Sequence, residues 1–223
     1  MKCVAIFDLD GTLIDTPRAI VATFSTAFAA MGFGPPSAST IRATIGLPLE
    51  QAFSELMRVP LDDMRVTHGI TQYQIAFRDI VLPHAEALLI PGVAEGLPAL
   101  RDQGLTLAVA TSKFHASADA LLKAAGLRSH FDVVVGADQV ARPKPDPEMG
   151  QRIMRTLGVP AERAVMVGDT THDVWMARAA GMRSVAVTYG VHGVQELSSS
   201  GPTWVVDTFE DVLKCLRTGL LPN

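Results

Sequence analysis

The sequence predicts an α/β fold: a doubly wound, Rossmann-like parallel sheet with a helical unit inserted after its first strand. Three observations carry this. Short apolar runs rich in Val, Ile and Ala recur along the chain, as in strands covered on both faces. Four helical patterns from residue 93 onward each stop at a glycine, the residue that fits a left-handed helix end. After the first apolar run, residues 16–88 carry no strand pattern, about 70 residues and too many for an ordinary strand-to-helix loop.

The elements follow in order. The first strand is expected at 3–7, where Cys3, Val4, Ala5, Ile6 and Phe7 form an unbroken run. Helices are expected at 17–31, 49–57 and 64–82, with loops at 32–39 and 59–61. Pro91-Gly92 marks the return to the sheet. A helix at 93–103 places Val93, Leu97 and Leu100 on one face and stops at Gly104. Strand 105–111 is followed by helix 116–125 and Gly126. Strand 133–135 leads to helix 147–157 and Gly158. Strand 164–167 leads to helix 174–180 and Gly181. Strand 184–187, an edge strand at 204–206 and a closing helix at 211–216 complete the chain, and 198–201 is read as a short loop. Strands alternating with helices imply right-handed crossovers and parallel pairing. The expected division is an α/β core at 1–15 and 89–223 and a helical unit at 16–88, linked near 13–17 and 88–92.

Composition narrows the function. The 223 residues are 48% apolar, enough for a sizeable core, and 19 Lys+Arg against 23 Asp+Glu leave a net charge of −4. No basic field invites nucleic acid. No apolar stretch approaches the roughly 18 residues that span a bilayer. The apolar N-terminal run is short for a secretory signal, so a cytoplasmic location is expected. Cys3 and Cys215 form no paired motif.

In open α/β sheets the active site lies beyond the carboxyl ends of the strands. The residues there are Asp8, Asp10, Gly11 and Thr12; then Thr111, Ser112 and Lys113; then Arg142-Pro143-Lys144-Pro145; then Gly168-Asp169 and Asp173. Asp8, Asp10 and Asp169 would repel one another unless a cation joined them. Hard carboxylate oxygens suit Mg²⁺, which also accepts phosphate oxygens. Lys144 adds a fixed positive charge, and Thr111 and Ser112 can donate to phosphate. Asp8 and Asp10 are two apart and face one side of an extended segment. One can attack phosphorus and form an aspartyl-phosphate, while the other moves the proton. Gly11 permits the sharp turn between them and Thr12. Asp173 suits a salt bridge to Lys144 or a metal water. Singly, each Asp could be a turn former or a helix cap. All four strand ends together argue for chemistry.

This set resembles the haloacid dehalogenase superfamily, and within it the phosphoglycolate-phosphatase-like subgroup with a helical cap. The likeness rests on Asp8-x-Asp10-Gly11-Thr12, Thr111-Ser112, Lys144 and Gly168-Asp169-x-x-x-Asp173, with Ile45-Gly46-Leu47-Pro48-Leu49 and Pro91-Gly92-Val93 in support. It implies Asp8 as nucleophile, Asp10 as general acid/base and Lys144 steadying the phosphoryl charge. Thr111, Ser112, Gly11 and Thr12 would bind phosphate. Mg²⁺ would be held by Asp8, the Asp10 carbonyl and Asp169, with Asp173 in support. The implied partner is a small soluble phosphate such as phosphoglycolate, or inorganic pyrophosphate; for a capped chain of this size a monomer is expected, with a dimer as the alternative. A phosphosugar mutase would typically carry a histidine in the first cap helix, where Ile20 stands, and an arginine in the cap loop, which reads Gly46-Leu47-Pro48-Leu49. A dehalogenase would not need Asp10, and a signalling receiver would lack the insertion. His172 is expected at a helix start or rim, and Lys113 at substrate or solvent. Arg18 and Arg42 are expected on a solvated face. Trp175, Trp204 and the methionines, Met64 and Met166 among them, are expected in structural packing. Residues 46–49 are expected to face the site.

Overall fold

The computed structural model describes residues 2–220; the ends of the expected core, 1 and 221–223, lie outside them. In chain order the elements are β1 (Val4–Phe7), α1 (Pro17–Ala30), α2 (Ala38–Arg42), α3 (Leu49–Met57), α4 (Met64–Ile80), α5 (Val93–Asp102), β2 (Thr106–Ala110) and α6 (His115–Ala124). Then come β3 (Val133–Val135), α7 (Glu148–Leu157), β4 (Ala164–Gly168), α8 (Thr171–Ala179), β5 (Arg183–Val187), α9 (Val194–Ser199), β6 (Trp204–Val206) and α10 (Phe209–Leu220). The six strands form one parallel sheet in the order β3-β2-β1-β4-β5-β6.

β1 shows why the strand runs carry no polar gaps. Ala5 and Phe7 pack into the core that holds Leu97 and Leu100 of α5 and Phe209 and Leu216 of α10. Val4 and Ile6 point the other way, toward Met149 and Ile153 of α7 and Met176 of α8. Both faces are covered, so alternate residues bury equally well. The four helix-ending glycines all take positive φ: Gly104 at 86°, Gly126 at 72°, Gly158 at 66° and Gly181 at 75°.

Helices α1 to α4 lie between β1 and α5, and their buried side chains continue the core on the α5 side of the sheet. Phe24 and Phe28 of α1, Phe53 of α3 and Tyr73 and Phe77 of α4 form a chain of ring contacts with centroids 4.7 to 6.3 Å apart. The entry and exit segments of this insertion pair with each other. Ile14 bridges Leu89 antiparallel, the Asp15 N–H donates to the Leu88 carbonyl at 2.7 Å, and the Ile90 N–H donates to the Leu13 carbonyl at 3.0 Å.

Several expectations are corrected. α2 begins inside the expected 32–39 loop, its first turn capped by the Ser37 hydroxyl, which accepts the Thr40 N–H. α9 is too short to show an apolar stripe and buries only Leu197, yet it covers the first half of the expected 198–201 loop. α8 starts at Thr171 rather than 174, because Thr170 and Asp173 cap it reciprocally. Trp175 does not pack on the sheet: it is 44% exposed and meets the His172 ring edge-on. Met64 is 87% exposed at the first turn of α4, whereas Met149, Met166 and Met176 are buried as expected. No helix among the described residues is long and apolar enough to cross a membrane.

Candidate active site

The sheet order reverses direction between β1 and β4, the place where a crevice opens beyond the strand ends. Asp8 is the first residue after β1, its N–H bonded to the Val167 carbonyl of β4 at 2.9 Å. Asp169 is the first residue after β4. The chain turns back at Gly11, where φ is 81° and a side chain would collide with the Asp169 carboxylate. Only glycine satisfies both demands. Lys144, from the loop before α7, reaches in beneath them.

The result is a buried ionic network. Lys144 Nζ lies 3.0 Å from Asp8 Oδ2 and 2.6 Å from Asp173 Oδ1, and also donates to the Ala110 carbonyl at 3.2 Å. The other Asp173 oxygen accepts from the Thr170 hydroxyl at 2.7 Å and the Thr170 N–H at 3.1 Å. Asp8 Oδ1 accepts the Leu9 N–H at 2.7 Å. Asp169 is held by the Thr12 hydroxyl at 2.8 Å and the Val191 N–H at 2.8 Å. Asp10 faces the cleft, its carboxylate gripped by the Thr16 hydroxyl at 2.6 Å and Lys113 Nζ at 3.1 Å.

Burial sets the charges. It pushes Asp8 up to about 7, with Asp173 and Asp10 adding to the rise and Lys144 opposing it. Asp169 is pushed up to about 8, by burial and then by the neighbouring charges of Asp8 and Asp173. Burial would lower Lys144, but Asp173 and Asp8 outweigh it and its pKa rises. Carboxyl oxygens of Asp8, Asp169 and Asp173 all lie within 4.8 Å of one another. Such a set is poorly satisfied by one lysine, and hard oxygen donors of this kind suit a small divalent cation.

The cleft above is walled by Asp8, Asp10, Thr111, Ser112, Lys113 and Thr170 on the sheet side. The Thr111 hydroxyl accepts the Lys113 N–H at 3.2 Å, so its own proton is free to donate. At two of the expected phosphate contacts the hydroxyls have protein partners. The Thr12 hydroxyl turns to Asp169, and the Ser112 hydroxyl donates to the Gly46 carbonyl of the insertion at 2.7 Å. Gly11 acts through its backbone turn and its N–H goes to the Ile14 carbonyl. Asp173 divides its two oxygens between Lys144 and Thr170, which makes it an anchor for the lysine. Lys113 reaches neither open solvent nor an outer rim. Its side chain is 8% exposed, paired with Asp10 and set 4.4 Å from the centre of the Phe77 ring. Thr170 was missed, although Thr170-x-x-Asp173 is a readable capping pattern. His172 sits in the first turn of α8 as expected, half-buried against Gly46. Arg18 is exposed, and Arg42, also exposed, donates to the Gly190 carbonyl at 3.2 Å. Gly46, Leu47 and Leu49 do face the cleft.

Comparison with known proteins agrees with this arrangement. A protein named "Probable phosphatase IndB" from Dickeya dadantii is 54% identical over 213 residues, covering 96% of this chain and 93% of its own length. The pyrophosphatase PpaX of Halalkalibacterium halodurans is 34% identical over 210 residues, covering 93% and 94%. The crystal structure of a hydrolase from Pseudomonas syringae superposes with a TM-score of 0.84 at 26% identity, covering 98% of this chain and all of the other. Residues 5–187 match the family model of the haloacid dehalogenase-like hydrolases. The chain therefore belongs to the haloacid dehalogenase-like hydrolases, and within them it is a phosphatase.

Proposed function

We propose that this phosphatase hydrolyses a small phosphate monoester with Mg²⁺, through a phosphoryl group carried on Asp8. The observation that carries the proposal is the setting of Asp8: a carboxylate on the cleft floor, with Lys144 at 3.0 Å behind it and Asp10 and Thr111 on the walls beside it. Asp8 attacks phosphorus with one carboxylate oxygen, and the bond to the alcohol oxygen breaks. Asp10 gives that oxygen its proton, and the alcohol leaves. Asp10 then takes a proton from water, whose oxygen attacks phosphorus and frees Asp8 as phosphate departs. Thr111 donates to a phosphoryl oxygen and Lys144 steadies its charge, itself aimed by Asp173. Lys113 and Thr16 fix the direction of the Asp10 carboxylate.

The metal fits on chemical grounds, since three buried carboxylates share a single lysine. Asp8, the Asp10 carbonyl and Asp169 would hold it. Bound there, Mg²⁺ supplies the positive charge that lets a phosphate dianion approach an acidic floor. Residues 16–88 act as a cap that screens the reaction from water and must open for exchange. The test is to quench the protein in acid shortly after mixing with a turned-over ester and Mg²⁺. A phosphoryl adduct is expected on the peptide carrying Asp8. Turnover by the Asp8→Asn protein, or an adduct elsewhere, would overturn the proposal.

A further inference from the structure

The insertion closes the cleft with hydrocarbon. Ile20 and Phe24 of α1, Leu47, Leu49 at the start of α3, Tyr73 of α4 and Phe114 ahead of α6 face the space where an alcohol group would sit. The space itself is small, about 60 Å³, with its mouth open to solvent beyond. Among the described residues, the charged side chains on the wall are Asp8, Asp10 and Lys113. Two are anionic. The third is already paired with Asp10 at 3.1 Å and covered by the Phe77 ring.

Two of the hydroxyls nearest the hydrocarbon are occupied, while those of Tyr73 and Ser117 remain as neutral donors. Ser112 donates to the Gly46 carbonyl and Thr44 donates to the Ile41 carbonyl at 2.8 Å. Arg42, the arginine of the insertion that reaches across to the sheet side, ends on the Gly190 carbonyl and does not line the cleft. A second anionic group on the substrate would leave water for a wall that offers it no free cation, only neutral hydroxyls such as those of Tyr73 and Ser117, which is unfavourable. A hydrocarbon or ring face gains by the same move.

We infer, on the phosphatase reading above, that the substrate is the phosphate ester of an uncharged alcohol bearing a ring or branched hydrocarbon face. Phosphoglycolate and pyrophosphate, which carry a second anionic group, are poor substrates by this inference. The full chain with Mg²⁺ is assayed for kcat/KM on benzyl phosphate, isobutyl phosphate, phosphoglycolate and pyrophosphate at one ionic strength. Benzyl phosphate is expected to exceed phosphoglycolate by about tenfold or more, the scale on which apolar pockets discriminate. Preference for phosphoglycolate or pyrophosphate would overturn the inference and leave the phosphatase reading standing. Release of phosphate from none of the four would overturn both. Leu47→Arg places a cation on the half-buried edge of this wall. It is expected to raise the phosphoglycolate-to-benzyl ratio by about tenfold. An unchanged ratio in a folded, active variant would mean that the wall does not meet the alcohol, and would also overturn the inference.

Discussion

The sheet ends and the helical insertion meet at one cleft and bring opposite chemistry to it. The sheet contributes carboxylates, a lysine and hydroxyls from the segments that follow its strands, with Asp8, Thr111 and Asp169 each the first residue past a strand. The insertion contributes side chains such as Ile20, Phe24 and Tyr73, which lie on helices and are held by packing. Reactivity and selectivity are thus assigned to separate stretches of chain.

This division can be broken or sharpened by substitution. The largest effect is expected at the sheet: Asp8→Asn should lower kcat by roughly 10⁴-fold or more, with the fold retained by circular dichroism. Next, Asp10→Asn should cost about 10² to 10⁴ in kcat. Esters of acidic phenols, whose leaving oxygen needs little protonation, should lose less in the first half-reaction, seen as a retained burst. In the insertion, Phe53→Ala removes a fully buried ring from the aromatic chain. It should cost about 3–5 kcal/mol in denaturant titration. Divalent-cation binding at the sheet should survive, and its loss would show that the two regions do not act separately.

A smaller effect is expected where the regions touch. Lys113→Met should lower kcat about tenfold with KM little changed, because it frees the Asp10 carboxylate. In an Asp10→Asn background it should do almost nothing, and additive losses would rule out the coupling. The smallest effect concerns pH. Asp8 and Asp169 bind protons more tightly in the fold than at the ordinary value of 3.8. Their contribution to stability is therefore complete below about 4 and is lost as pH rises through about 7 to 8. Without metal, the melting temperature should fall by a few degrees across that window. Added Mg²⁺ should restore more of it at pH 8 than at pH 5. A flat metal-free profile would contradict the raised values.

The sequence was most legible where a residue type is required by backbone geometry or by charge. Gly104, Gly126, Gly158 and Gly181 marked helix ends, because positive φ excludes most other residues. Asp8, Asp169, Lys144 and Asp173 were found because four strand ends in a parallel sheet converge, and there the structure brings them together. What stayed hidden depends on direction rather than type. Whether a hydroxyl such as Ser112 or Thr12 faces substrate or a neighbour is decided by tertiary contacts. So is the turn of Trp175 away from the sheet, on a helix whose buried face is set by Val174, Met176 and Ala177. Beyond residues 46–49, the identity of the cleft wall was hidden for the same reason, since apolar residues on the helices of the insertion are equally suited to a core or a pocket.

The pairing of residues 13–15 with 88–90 has a practical consequence. Chain entry and chain exit sit shoulder to shoulder on a short antiparallel clasp, so the sheet meets one narrow stem and not two distant joints. Genetic exchange at that stem, trading everything between its two halves for the matching piece of a relative, would join ends that already hold the right spacing. The resulting chimeras would give a direct way to transplant preference for one alcohol onto an unchanged hydrolytic base.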